Sequence, residues 1–248
     1  MESSLKKPAG KQTSSSKPAE KEQAFPIQGV ALSYLETLPV DRSSTTHAVC
    51  KYVKKATQDI DGNRSLAAML LANDQTKRLV KDVAETFVSY AWNGEWGATL
   101  DVLRRRKAQL NKDELFVWMD VFLVDQHRAG TGMLAFKDWS QVFQSSLERI
   151  GNATLVLSPG HEPIATKRAW CCFEWTVIRK SNISFTCLVP ESDEQHIIDL
   201  MKRGMGFDDF YNLFSKINVE NAEAYKQEDK DQILAFLRQV GVLESTIL

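Results

Sequence analysis

Four cysteines in 248 residues are too few for a disulfide-stapled scaffold. Cys50, Cys171, Cys172 and Cys187 form no CxxC pair and show no zinc-like spacing. The adjacent Cys171 and Cys172 would bridge each other only with strain, so reduced thiols are expected. Charge of one sign is missing too. The 31 Lys+Arg against 32 Asp+Glu leave a formal net charge of -1, without the basic excess of a nucleic-acid binder. No apolar run is long enough to span a bilayer, and the polar N-terminus lacks the apolar core of a signal peptide. A cytoplasmic protein with no nucleic-acid partner and no membrane span is therefore expected. There is no internal repeat and no GxGxxG motif.

What is present fits an ordinary globular chain, 43% hydrophobic and 25% charged. Residues 1–25 are rich in Ser, Lys, Glu and Pro and cannot bury enough surface to offset their ordering entropy, so a disordered tail is expected. Residues 26–82 read as a helical leader. Ser43, Ser44 or Thr45 can cap a helix through Val49, Val53 and Ala56, and after the Asp61-Gly62-Asn63 turn a second helix runs through Leu66, Met69 and Leu70 to Val80. Neither helix has a large apolar face, so both are expected to pack on the domain after them.

Residues 83–248 read as an α/β domain. Thr86–Tyr90, Leu115–Phe122, Ala153–Ser158 and Ile183–Val189 are short apolar runs that suit parallel strands covered on both faces. Helical stripes lie between them: Trp96, Leu100 and Leu103; then Trp139, Val142, Phe143, Leu147 and Ile150; then Lys167 to Arg179. Later helices are expected at Ile197–Met201, Phe210–Ile217 and Ile233–Val240. Strand and helix alternation implies an open parallel sheet with helices on both faces, and a fifth strand near Ile217–Val219 would complete the flavodoxin-like order 2-1-3-4-5.

Ligands of such sheets bind outside the carboxyl ends of the strands, where strand order reverses. That edge should gather Ser89, Tyr90 and Trp92, Asp120 on the second strand, and Ser158 after the third. The helix TKRAWCCFEWTVIRK, Thr166 to Lys180, sets Trp170, Phe173, Val177 and Ile178 on one face at about 100° per residue. Glu174 falls inside that apolar stripe, where it must lose water, find a partner or line a cleft. Desolvation would raise its pKa. The plainer reading is a structural glutamate paired with Arg or backbone donors. Asp125 and His127 lack an evident third partner for a metal, and a cysteine hydrolase using Cys171 or Cys172 with His127 or His161 has no signature around it.

The boxes AETFVSYAW (Ala84 to Trp92) and RAWCCFEW (Arg168 to Trp175) resemble the Toll/interleukin-1-receptor (TIR) superfamily: its first strand with the following loop, and its Trp-Cys-x-x-Glu helix. A TIR-like family of unicellular eukaryotes is more similar still. Its boxes FVSHAW, WxDxFxVNQH, LVLSPWxxPxxxxRAWCLWE and DVExAEAF correspond here to FVSYAW, VWMDVFLVDQH, LVLSPGHEPIATKRAWCCFEW and NVENAEAY, across roughly Thr45 to Val242. Tyr90 stands where that family usually has His, Gly160 where it has Trp, and Asp125 where Asn is common. The second-strand box also differs from the usual TIR BB-loop. The resemblance implies a TIR-like fold and gives Glu174 the position of the catalytic glutamate of NAD-cleaving members. It implies NAD(P)+ as substrate rather than cofactor, with Ser89, Tyr90, Trp92, Asp120, Ser158 and Trp170 around it. Backbone amides of the Trp92–Gly97 loop would meet the pyrophosphate. It equally allows a non-catalytic module that assembles with copies of itself or with other TIR-like domains.

Overall fold

The computed structural model describes residues 26–62, 64–128, 136–204 and 219–241. The expected disordered tail lies outside them, as does the helix expected at Phe210–Ile217. The chain begins with strand β1 (Gly29–Ala31), the short helix α1 (Leu32–Leu35), and helices α2 (Thr46–Ala56) and α3 (Leu66–Leu71). A 3-10 turn at Lys77–Leu79 leads to β2 (Val80–Lys81) and then β3 (Thr86–Ser89). Next come α4 (Trp96–Gln109), β4 (Phe116–Trp118), α5 (Asp120–Leu123), α6 (Phe136–Ile150) and β5 (Asn152–Val156). Helix α7 (Ala169–Lys180), β6 (Ser184–Leu188), α8 (Glu191–Lys202) and α9 (Gln227–Gln239) complete the described elements.

The α/β class holds, with one mixed sheet of six strands in the order β2-β1-β4-β3-β5-β6. β3 pairs in parallel with β4 and β5, and β5 with β6. β1 runs antiparallel to both β2 and β4. The sheet therefore departs from the all-parallel order 2-1-3-4-5. The stretch expected as a purely helical leader supplies two of its strands. Of the expected fifth strand, Ile217 and Asn218 lie outside the described residues, and Val219 sits in a 3-10 turn, Val219–Asn221.

Two leader expectations change in detail. The second helix stops at Leu71, and Val80 belongs to β2 instead. The first begins at Thr46 after Thr45, whose side chain makes no capping bond. Both helices pack against α5, as their narrow apolar faces required. Val49, Val53, Leu66 and Leu70 are buried in the same core as Phe87, Leu103 and Val117.

β3 is buried at all four positions. Successive strand residues point to opposite faces, so both faces are covered there. β6 differs. Its residues are exposed or half-buried as far as Leu188, with Phe185 45% exposed, although its apolar run predicted a strand covered on both faces. Of the α6 stripe, Phe143 and Leu147 are buried and Ile150 is half-buried; Trp139 and Val142 lie outside the described side chains. No helix among the described residues is long and apolar enough to cross a membrane.

Candidate functional site

The connection from β3 runs through α4 to β4 on one side, and the chain then crosses to β5 on the other. The reversal lies beside the carboxyl end of β3, where ligands of open α/β sheets collect. β3 ends at Ser89, and the next residues are Tyr90, Ala91 and Trp92.

Helix α7 brings Glu174 to this edge. The helix is enclosed nearly all round: Ala169, Cys171, Cys172, Phe173, Trp175, Thr176, Val177 and Ile178 are buried. Glu174, the one charged residue of the helix before Arg179, is half-buried. Its Oε2 accepts the Ser89 hydroxyl at 2.5 Å. Ser89 Oγ in turn accepts the indole N–H of Trp175 at 2.9 Å. Burial pushes the Glu174 pKa up to about 8; the Ser89 bond opposes that rise and the negative charge of Asp120 adds to it. The alternative of a glutamate paired with arginine is not what forms, because its bonded partner is a serine.

Asp120 is not on the second strand. β4 ends at Trp118, and Asp120 opens the short helix α5. An apolar run does not by itself distinguish a buried strand from a buried helical turn, and here an acidic residue at the break accepts an amide of its own helix. Val121 N donates to Asp120 Oδ1 at 2.8 Å, Tyr90 OH at 2.7 Å, and Trp92 Nε1 to Oδ2 at 3.0 Å. Burial raises the Asp120 pKa, and these three donors hold it back. Burial also pushes the Tyr90 phenol well above its usual range, with both Asp120 and Glu174 adding to the shift.

Ser89, Tyr90, Trp92, Asp120 and Glu174 thus form one connected group. Tyr90 is 6% exposed and its hydroxyl is committed to Asp120, so it braces that carboxylate and offers no open face for stacking. Ser158 is tied elsewhere: its hydroxyl and the Gly160 amide both donate to Asp193 Oδ2 of α8, at 3.4 and 2.8 Å. A Cβ on Gly160 would meet Ile197 Cδ1 at 2.9 Å, so α8 fills the space a larger residue would need. Trp170, one turn before Glu174, packs edge-on against Phe173 with centroids 6.0 Å apart. Asp125 accepts the His127 amide and pairs with Arg64, and His127 Nε2 meets Thr57 Oγ1. Among the described residues no group of three or more His, Cys, Asp or Glu could hold a metal ion. Cys171 and Cys172 stay protonated: burial raises Cys171 far above the usual thiol range and Cys172 to about 12. Neither is a ready nucleophile.

Sequence reasoning missed two contributors, Trp175 and His47. Trp175 reads as core, yet it bonds Ser89. Gln126 fixes the α5 turn by donating to the Asp120 carbonyl at 2.8 Å. His47 of α2 meets Asn93 Oδ1 at 3.0 Å and stands edge-on to Trp92, with centroids 5.4 Å apart. No local signal marks His47, an exposed residue in the polar start of α2. Three of the loop amides expected to meet a pyrophosphate are already bonded. Trp96 N donates to Ser44 O and Gly97 N to Arg42 O, both at 2.7 Å, and Gly94 N donates to Ala91 O. Comparison with protein-family models, curated proteins and solved structures finds nothing that matches this chain.

Proposed function

We propose that the chain is a TIR-like NAD(P)+ glycohydrolase that releases nicotinamide at Glu174, with the dinucleotide as substrate and no resident cofactor. The observation that supports this reading most is one carboxyl group, half-buried on a helix that carries no other charge before Arg179, bonded to the last residue of β3 beside the reversal of strand order. The bond to be broken joins ribose C1′ to the positively charged ring nitrogen. Both bonding electrons pass to that nitrogen, which leaves as neutral nicotinamide and needs no acid. C1′ takes on oxocarbenium character, and an ionised carboxylate beside it lowers the energy of that charge. Water then bonds C1′ and sheds a proton.

Burial holds the proton on Glu174 up to about pH 8. A cationic ring favours the charged form, so binding and proton release are linked. The kcat/KM profile is expected to rise with pH and level off above about 8, with the kcat profile displaced to lower pH.

The second reading is a non-catalytic assembly module. It is favoured by the capped amides of Trp96 and Gly97, which leave the start of α4 without those donors for a pyrophosphate. Nicotinamide release from NAD+, at high protein concentration and with a crowding agent, separates the two. Glu174→Gln and Glu174→Ala should each lose on the order of 100-fold or more in rate. No release by the wild type, or equal rates in the variants, overturns the enzyme reading.

A further inference from the structure

Ser89 Oγ is completely buried and has one proton to donate. Three groups surround it. The Trp175 indole is a donor only, and at 2.9 Å it occupies one lone pair of the hydroxyl oxygen. The Cys171 thiol lies beside Ser89, but its own proton points to the Tyr90 carbonyl at 3.5 Å, and sulfur is a weak acceptor. Glu174 Oε2 at 2.5 Å is the remaining acceptor. The chain runs from the indole, which donates to the hydroxyl, to the hydroxyl, which donates to the carboxylate.

We propose that Trp175 is a positioning residue: its N–H, bonded to the Ser89 oxygen, strengthens the hydroxyl's bond to Glu174 and so favours the charged carboxylate at the moment a cation needs it. This rests on the reading of Glu174 as the reacting group. A donor on one lone pair polarises the hydroxyl and makes its O–H a stronger donor to the carboxylate; without the indole that polarisation is lost. The hydroxyl then stabilises the carboxylate less. Trp175 thereby offsets part of the burial that works against ionisation.

The groups that titrate around Glu174 support this division of labour. Tyr90 and Asp120 face it from the loop after β3 and from α5, and Cys171 and Cys172 from its own helix. Asp120 is the charge that acts on it, and it opposes ionisation. Among the described residues neither α6 nor α9, which also pack on α7, sets a charge against it. Among the described residues the Ser89 hydroxyl is the group that favours the carboxylate, and Trp175 sets how strongly it does so.

The test needs no substrate. The carbonyl band of the protonated Glu174 acid, identified by its loss in Glu174→Gln, is followed by infrared spectroscopy against pH. In Trp175→Phe, with folding checked by circular dichroism, its midpoint should move up by about half to one pH unit. In Ser89→Ala it should move up further. The wild type alone gives a second readout that survives misfolding of either variant. The indole N–H resonance of Trp175 in a 15N-labelled sample should shift through the Glu174 midpoint, and in Glu174→Gln it should stay still. An unchanged midpoint in folded Trp175→Phe, or an indole resonance that ignores the titration, overturns the proposal. If the titrations behave as stated while NAD+ is not cleaved, the relay stands and the glycohydrolase reading falls.

Discussion

Replacing Glu174 by Gln should stabilise the protein, and increasingly so as pH rises. Folding carries this carboxyl from a usual value of 4.5 to about 8. Below pH 4.5 the folded and unfolded chains both hold the proton, and the group contributes no pH dependence. Between 4.5 and about 8 the unfolded chain ionises while the folded chain keeps its proton, so stability falls with rising pH; above that it is level. At about 1.4 kcal/mol per pH unit the full displacement corresponds to about 5 kcal/mol. The side chain is half-buried, and screening by water reduces this to about 2–3 kcal/mol. Glutamine keeps the acceptor oxygen for Ser89 and does not titrate. The difference between variant and wild type should be near zero at about pH 4 and reach about 2–3 kcal/mol in favour of glutamine at about pH 8. Urea titrations of both proteins at several pH values across that range measure it, and the contributions of other groups cancel in the comparison. A difference that does not change with pH would mean that Glu174 ionises as freely in the folded chain as in water. The electrostatic account of the site would then be wrong. The same substitution should slow nicotinamide release by on the order of 100-fold or more, so gained stability and lost activity would appear at one residue, as expected where a buried acid is retained for function.

Two further substitutions probe the frame around the site. Gly160→Ala places a methyl group 2.9 Å from Ile197 Cδ1 and 3.0 Å from Asp193 Cβ, so the Ile197 side chain must move and α8 must give by a few tenths of an ångström; a loss of about 1 kcal/mol is expected in denaturant unfolding, and unchanged stability would show that α8 is not seated there. Gly97→Ala places a methyl group 2.9 Å from the Arg42 carbonyl and should part the leader from α4, accelerating amide hydrogen exchange at Trp96 and Gly97 by roughly 5- to 100-fold; exchange as slow as in the wild type would refute the contact.

The four parallel strands are legible in the sequence because each is an apolar run bounded by polar residues, and local composition is enough to mark such strands. β1 and β2 are not. Three residues, Gly-Val-Ala, and two, Val-Lys, are too short to show a period, and they become strands only by pairing with β4 and with each other. Gly29 is the one local clue: a Cβ there would lie 2.8 Å from Ala84 Cα, so the close approach of the two backbones needs glycine. At the site, Glu174 stands out because an acid inside an apolar stripe needs an explanation. Asp120 stands out as well, but its element does not, since an apolar run does not reveal where extended chain gives way to a helical turn. Ser158 groups with the site in sequence because β5 ends near it. Its partner Asp193 lies 35 residues further on, in a helix whose docking no local pattern announces. Trp175 is hidden for the opposite reason: a tryptophan among apolar residues reads as packing, and its single N–H matters only once its partner is known.

The leader and a dinucleotide would compete for the same atoms. The exposed amides at the start of the first helix after a strand are a ready seat for phosphate. Here Arg42 and Ser44 bring carbonyl oxygens to them, and Arg42 adds an ion pair to Asp101 at 2.6 Å on the same helix. A carbonyl accepts the same N–H bonds as a phosphate oxygen but carries no net charge. A pyrophosphate arriving at this edge must either find other donors or displace the segment. Gly97→Ala separates these outcomes because it loosens the Arg42 contact without touching Ser89, Asp120 or Glu174. If NAD+ cleavage rises as the leader loosens, the amides are the phosphate seat and residues 42–44 regulate access to it. If cleavage is unchanged although Trp96 and Gly97 exchange faster, the pyrophosphate lies elsewhere and the leader is simply part of the sheet's architecture.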